Sequence, residues 1–335
     1  MIVIMHCGFG YAQPPNNNTI THKLNLKNQP KTFRSNGKLL ITGEYVVLDG
    51  AKALALPTKY GQSLTVEEND TNTIVWKSCN ELDEVWFEDE FLINDKAARL
   101  RVKAKNYSDV SKRLIQIIQE TYSLNSEFLN AEQGYNVTTH QDFNRLWGLG
   151  TSSTLINNIA NWANIDAYKL LEKTFKGSGY DIACAQHNTP ITYQLRFARK
   201  PLIEPVNFDP NFKSQLYFVY LNQKQNSRDG ITTYRKKAKI DASIIEDINK
   251  ITESIIACKS LSEFENLINA HEAIISKLID QKPIKLRLFK DFKGSVKSLG
   301  AWGGDFVLAT SETDPTAYFT SKGFDVVIPY SGMVL

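Results

Sequence analysis

Three hydroxyl residues directly follow a Gly-Leu-Gly turn at Gly148-Leu149-Gly150-Thr151-Ser152-Ser153. Glycines let the backbone turn sharply and approach an anion with no Cβ in the way. The apolar positions Leu155, Ile156, Ile159, Ala160 and Ala163 then recur at helical spacing. The loop therefore opens a helix whose free N–H groups and positive dipole end can face a phosphate. It is not the Walker pattern, because no Lys follows the second glycine. Taken alone, the segment reads equally as a glycine turn with Ser/Thr capping.

Three more segments carry chemistry. Gly177-Ser178-Gly179-Tyr180-Asp181-Ile182-Ala183 presents one carboxylate on a glycine-punctuated turn. Asp181 can take the proton of a hydroxyl as that oxygen attacks phosphorus, or it can cap the helix ahead of it. Gly300-Ala301-Trp302-Gly303-Gly304-Asp305-Phe306 allows close backbone approach to a ligand, and alone reads as a tight turn before a core strand. Gly37-Lys38-Leu39-Leu40-Ile41-Thr42-Gly43-Glu44-Tyr45 sets a Lys on an apolar strand, where it needs either a partner or an edge position.

The elements that must position these residues follow from periodicity. Strands are predicted at Leu39–Ile41, Tyr45–Leu48, Ser63–Val66, Thr73–Trp76, Glu84–Phe87, Tyr135–Thr139, Ile191–Phe197, Gln215–Leu221, Asp305–Ala309 and Phe324–Pro329. Helices are predicted over Val110–Tyr122, after Gly150, over Asp166–Phe175, over Pro315–Ser321, and as a long pair through Ile244–Ile256 and Leu261–Leu278. The polar, Pro-containing stretch Lys200–Lys213 marks a boundary between two halves. Residues 13–31 are polar, rich in Asn and Pro, and read as a flexible leader.

The chain has 335 residues, enough for two domains sharing a cleft. A net charge of +3, with no Lys/Arg run, argues against nucleic-acid binding but suits an anionic small molecule. No apolar run is long enough to span a bilayer, and the apolar start lacks the basic flank of a secretory signal. Four scattered cysteines and five scattered histidines form no disulfide framework or metal cluster. A cytoplasmic location is expected.

Together and in this order, the four segments resemble the GHMP kinases, on the mevalonate and phosphomevalonate kinase side of that family. The resemblance runs from about Phe33 onward and is carried by Gly37–Leu48, Gly148–Ser153, Gly179–Ala183 and Gly303-Gly304-Asp305. It implies an α+β, two-domain GHMP-kinase-like fold after a leader over 1–32. An N-terminal mixed α/β nucleotide-binding domain would span 33–205, and a C-terminal ferredoxin-like α/β sandwich 206–335. The active site would lie in the cleft between them.

The resemblance further implies ATP and Mg²⁺ as cofactors and a small anionic acceptor, mevalonate or 5-phosphomevalonate. By position, Gly148, Leu149, Gly150, Thr151, Ser152 and Ser153 match the phosphate loop, with Ser152 as a Mg²⁺ ligand. Asp181 matches the catalytic Asp, and Lys38 the Lys that pairs with it and lowers the barrier for hydroxyl attack. Glu44, Tyr45 and Ser227 fall on the substrate side, Glu172 at the second metal-ligand position, and Gly303, Gly304 and Asp305 in a motif that braces the loop. Trp147 and Trp302 stand where the family has small residues, and Asn36 where it has Pro, so a reshaped nucleotide pocket is expected. A homodimer is compatible with the sequence. Two rivals remain: a diphosphomevalonate decarboxylase-like enzyme, and a catalytically silent metabolite sensor with the same fold.

Overall fold

The computed structural model describes residues 29–96, 99–129, 132–196, 199–224, 227–237 and 240–335. Most of the stretch read as a leader lies outside them. The first described strand, β1, begins at Lys31, at the end of that stretch, and runs to Leu40.

Eight strands build the first sheet. They are β1, β2 (Ala53–Asn69), β3 (Thr73–Cys79), β4 (Val85–Lys96), β5 (Arg99–Ala104), β6 (Gly134–Gln141), β7 (Ile191–Gln194) and β8 (Leu202–Pro205). The order is β5-β4-β3-β6-β2-β7-β8, with β1 paired to β2 and only β3–β6 parallel. The 17-residue β2 is the spine: its N-terminal end pairs with β7, its C-terminal half with β6, and β1 runs along it.

Helices α1 (Asp109–Leu124), α2 (Thr151–Ala163) and α3 (Ala167–Thr174) cover this sheet. Their apolar stripe, including Leu114, Ile117, Ile118, Ile156, Ile159 and Leu170, packs on Leu64, Trp76, Phe91 and Val137 in one core. Each such side chain contributes about 1.5–3 kcal/mol on burial, so this face dominates the local stability. Side-chain caps at Ser108 and Asp166 set the starts of α1 and α3.

The second sheet has the order β10-β11-β9-β12, all antiparallel, from β9 (Leu216–Tyr220), β10 (Val296–Ser298), β11 (Phe306–Thr310) and β12 (Val327–Pro329). After β9 come α5 (Ser227–Lys237), α6 (Ala242–Ala257), α7 (Leu261–Ile279) and the short α8 (Ile284–Leu288); α9 (Thr316–Ser321) lies between β11 and β12. This is the split β-α-β-β-α-β arrangement of a ferredoxin-like sandwich. The short helix α4 (Tyr180–Gln186) precedes β7 in the first half. One apolar cluster joins Leu39, Ile41, Leu56 and Leu149 from the first half to Phe218, Phe264 and Phe306 from the second. The two sheets therefore share a core.

Three expectations change. Tyr45–Leu48 is not a strand but leads into a 3-10 turn, Val46–Asp49. Gly43 at φ 86°, Tyr45 at φ 64° and Gly50 at φ 90° turn the chain back, which an extended strand cannot do. The Val-Val pair is buried in that turn, so its β-branched signal reported burial and not extension. The expected linker contains strand β8, which pairs with β7. The predicted Phe324–Pro329 strand shortens to Val327–Pro329.

Candidate functional site

Lys38 follows an irregularity in the β1–β2 pairing. The register shifts between Asn36 and Lys38, where Gly37 alone faces residues 58–60 of β2, so β2 bulges there and the pairing around Lys38 is re-aimed. Only glycine fits there, because a Cβ would lie 2.6 Å from Thr58 Oγ1 and 2.9 Å from the Leu149 carbonyl. The Lys38 amide donates to that same carbonyl at 3.0 Å, tying the strand to the Gly148–Ser153 loop. Asn36 donates to the His187 carbonyl and to Asn188 Oδ1, each at 2.8 Å, and so joins the bulge to the end of α4.

The loop ends on α2, whose N-cap is Gly150 at φ 99° with no side-chain cap. Ser153 Oγ donates back to the Gly150 carbonyl at 2.8 Å, and Thr151 Oγ1 accepts from Gln141 at 2.9 Å. Ser152, by contrast, is exposed at the helix mouth. A buried polar seam holds the helix in place. Asn157 and Asn158 bond Ser35, Asn158 also donates to the Gln62 carbonyl, and Thr154 donates to Gln62 Oε1 at 2.9 Å. The uncapped end is thus presented by a helix fixed to β1 and β2.

Asp181 lies in the first turn of α4, two residues beyond the N-cap, Gly179. Gly179 has φ 87°, and a Cβ there would press on the Tyr168 ring and the Tyr193 hydroxyl. Asp181 Oδ1 is buried and accepts no hydrogen bond. Lys38 Nζ does not pair with it but sits over the Tyr180 ring, 5.7 Å from the centroid. Burial, then the Asp181 carboxylate, push Tyr180 well above the ordinary phenol range. Burial raises the Cys184 pKa, the Asp181 charge adds to that and Lys38 opposes it.

The 300–306 segment meets the loop from the second sheet. A Cβ on Gly148 would collide with the Asp305 carboxylate, so glycine at φ 69° is required there. Asp305 itself has φ 55°, and its amide donates to the Gln223 carbonyl at 2.6 Å. Gly303 turns at φ 104°, and Gly304 is buried beside Asp305. Lys38, Trp147, Gly148, Leu149, Gly300 and Asp305 line a shared crevice.

Sequence reasoning missed two cations at this rim. Lys224 Nζ donates to the Arg145 carbonyl at 3.1 Å. Desolvation lowers the Lys224 pKa, Asp305 opposes that, and Arg145 and Lys38 reinforce it. Lys224 lies three residues before Ser227, the expected substrate-side residue, but a lone Lys in a polar loop carries no signal of its own.

The two tryptophans part company. Trp147 lines the crevice and packs edge-on against Phe306 at 5.6 Å and Tyr60 at 5.4 Å. Trp302 is buried in a cluster with Tyr45, Tyr234, Ile248 and Ile275, away from the crevice lining. Its amide donates to the Tyr45 hydroxyl at 3.2 Å.

The remaining expected site residues are placed differently. Tyr45 is buried, stacked on Tyr234 at 5.4 Å, with Gly230 of α5 against its hydroxyl. Glu44 is 1% exposed and pairs with the equally buried Lys297. Burial outweighs that partner and raises Glu44 to about 7. His271 Nε2 accepts the Gly43 N–H at 2.9 Å, so this ring is neutral, and burial holds its pKa well below the ordinary value. Glu172 is exposed on α3, and no hydrogen bond or ion pair among the described residues links it to the loop. Ser227 opens α5, and its side chain lies outside the described residues. The described residues hold no group of three or more His, Cys, Asp and Glu arranged for a metal.

A strand-borne Lys, an uncapped helix behind a double-glycine loop, and an Asp opening a short helix are arranged in a two-sheet frame that known structures share. The Methanococcus jannaschii mevalonate kinase superposes with TM-score 0.64 at 17% identity, over 89% of this chain and 96% of that one. The Streptococcus pneumoniae phosphomevalonate kinase, in complex with phosphomevalonate and AMPPNP, gives 0.63 at 16%, over 91% and 98%. The chain has the GHMP-kinase fold. The Lactococcus lactis galactokinase, complexed with galactose, shares the fold too, at TM-score 0.57 and 12% identity over 88% and 89%. No family model and no curated protein sequence matches the chain. No described helix is long and apolar enough to cross a membrane.

Proposed function

We infer that this GHMP-fold chain is an ATP-dependent small-molecule kinase. The observation that carries the reading is the Asp181 carboxylate oxygen, buried yet unpartnered, on a helix start that also bears the seat of Lys38. A buried acceptor without a donor is costly unless a ligand supplies one, and an acceptor hydroxyl is such a donor. The uncapped α2 terminus with its Gly148–Ser153 loop binds the nucleotide phosphates. The halves 33–205 and 206–335 act as nucleotide-binding and closing domains around the crevice.

In the reaction, the acceptor oxygen forms a bond to the γ-phosphorus while the bond to the β-phosphate oxygen breaks and ADP leaves. The hydroxyl proton passes to Asp181; when the acceptor is a phosphate, no proton moves. Lys38 leaves the Tyr180 ring for the transferring phosphoryl group and neutralises its charge. The exposed Ser152 hydroxyl fits a hard cation that takes few protein oxygens and fills its shell with phosphates and water. Mg²⁺ held there would supply charge neutralisation on the nucleotide phosphates.

The known structures that contain mevalonate-pathway enzymes, and the motif flavour of Gly37–Leu48, favour mevalonate or 5-phosphomevalonate as acceptor in the cytoplasm. The first experiment is ADP release with Mg²⁺·ATP against mevalonate, 5-phosphomevalonate, 5-diphosphomevalonate, homoserine and galactose. Asp181→Ala is expected to lower turnover by ~10²–10⁴. Near-normal turnover in that variant sinks the assignment, and CO₂ release would select the decarboxylase branch. Ligand binding without ADP formation would support the other rival, a metabolite sensor with the same fold.

A further inference from the structure

Lys38 and Asp181 are the two charges that phosphoryl transfer would use, yet they form no ion pair within 4.0 Å. What lies between them is Tyr180. Its ring faces the Lys38 ammonium at 5.7 Å, inside the range in which a cation is attracted to an aromatic face. Its hydroxyl lies against the Asp181 carboxylate, with Glu44 the more distant negative charge. Gly179 at φ 87° sets the turn before Tyr180, a Cβ there would press on Tyr168 and Tyr193, and Tyr193 donates to the Ser178 carbonyl.

This arrangement resolves a conflict. A direct Lys–Asp salt bridge would occupy the carboxylate oxygen that must accept a proton, and would tie up the cation that must meet a phosphate. With the ammonium on the ring, Asp181 Oδ1 stays unspent and Lys38 stays releasable. A cation–π contact is weak enough to yield to a phosphate, which offers Lys a full charge and hydrogen bonds.

We propose that Tyr180 is a positioning residue that seats the Lys38 ammonium on its ring, and so keeps Lys38 and Asp181 apart until phosphate arrives. The proposal rests on the kinase reading for its purpose but not for its test. The seat exists in the resting chain and can be read without turnover.

The experiment compares the protein with Tyr180→Phe and Tyr180→Leu after reductive ¹³C-methylation of lysines, with the Lys38 resonance assigned by its loss in Lys38→Arg. In the unchanged protein that resonance is shifted upfield by the ring. It keeps the shift in Tyr180→Phe, loses it in Tyr180→Leu, and moves downfield when Mg²⁺·ATP is added. A purely structural tyrosine would not give this pattern. A Lys38 resonance with no upfield shift in the unchanged protein overturns the proposal, whatever the variants do.

If the acceptor panel yields turnover, Tyr180→Leu lowers kcat by about tenfold with little change in the KM for ATP, while Tyr180→Phe stays within about threefold. Equal losses in both variants, or none in Tyr180→Leu, also overturn it. Failure of the whole panel with the resonance pattern intact counts against the kinase reading and leaves the seat standing.

Discussion

Glycine at position 148 has two reasons to be there, and each can be tested. Its φ of 69° is one that other residues adopt at a strain, and the Asp305 carboxylate fills the place of its Cβ. Gly148→Ala is therefore expected to lose at least about 1 kcal/mol of stability, since alanine must take a left-handed conformation and displace Asp305. Nucleotide affinity should fall with it, and urea denaturation together with ATP titration reads both. Unchanged affinity would mean that Asp305 does not brace the loop. Ser152 behaves oppositely, because its exposed side chain makes no internal bond that holds the fold. Ser152→Ala should leave stability within about 0.5 kcal/mol while raising the Mg²⁺ concentration needed for half-maximal ADP release. An identical Mg²⁺ dependence would remove Ser152 from the metal site.

At the scale of elements, the position of α2 decides whether its N-terminus can serve a phosphate. Periodicity foretold the helix and its apolar face, and the loop glycines foretold where it starts. The seam of Ser35, Gln62, Thr154, Asn157 and Asn158 was not foretold, because two adjacent Asn residues on a helix read as solvent-facing. Each of these groups is buried and bonded within the seam, with Gln186 and the Gly150 and Thr151 carbonyls as further partners, so removing one leaves a partner short of a bond. Asn158→Leu should cost about 1–3 kcal/mol by urea denaturation, whereas Asn161→Ala, on the exposed side, should stay within about 0.5 kcal/mol. Equal effects at the two sites would show the seam to be dispensable. The β2 bulge opposite Gly37 is similar. Gly-Lys on an apolar strand was visible, but the register shift that turns Lys38 towards the loop arises only when β1 meets β2.

For the whole molecule, the telling feature is the charge buried between the halves. Glu44 comes from the chain just after β1, His271 and Glu272 from α7, and Lys297 from β10. Breaking a buried pair from one side strands the other charge, so Lys297→Met alone should be severely destabilising, by about 3–5 kcal/mol. Adding Glu44→Leu should recover much of that loss, as thermal unfolding would report; no recovery would mean the pair is not coupled. The pH dependence has a definite sign. A Glu raised from 4.5 to about 7 favours folding while it is protonated, so its contribution declines as pH rises from about 4.5 through 7. His271, held low, works in the opposite sense: folding loses ground on acidification below about 6.5. The unchanged protein should therefore fall in Tm relative to Glu44→Gln as pH rises across that window, and a constant difference would contradict the assignment.

Local pattern determined a good deal here by itself: the double-glycine loop, the Asp on a glycine turn, most strands and helices, and the order that brings four glycine-rich segments to one fold. These features depend on neighbours a few residues apart, through φ/ψ preference and hydrophobic period. Glu44 and Asp181 looked alike in sequence, each an acid following a glycine-bearing turn. Only the tertiary structure separates them, because burial and partners come from residues far along the chain. Each keeps one buried carboxylate oxygen without a hydrogen bond, but Glu44 meets Lys297 and joins the halves, while Asp181 lies beside Tyr180, whose ring faces Lys38. The same holds for Trp147 and Trp302: one lines the crevice and the other fills a core, a division set by which sheet and helices each one meets.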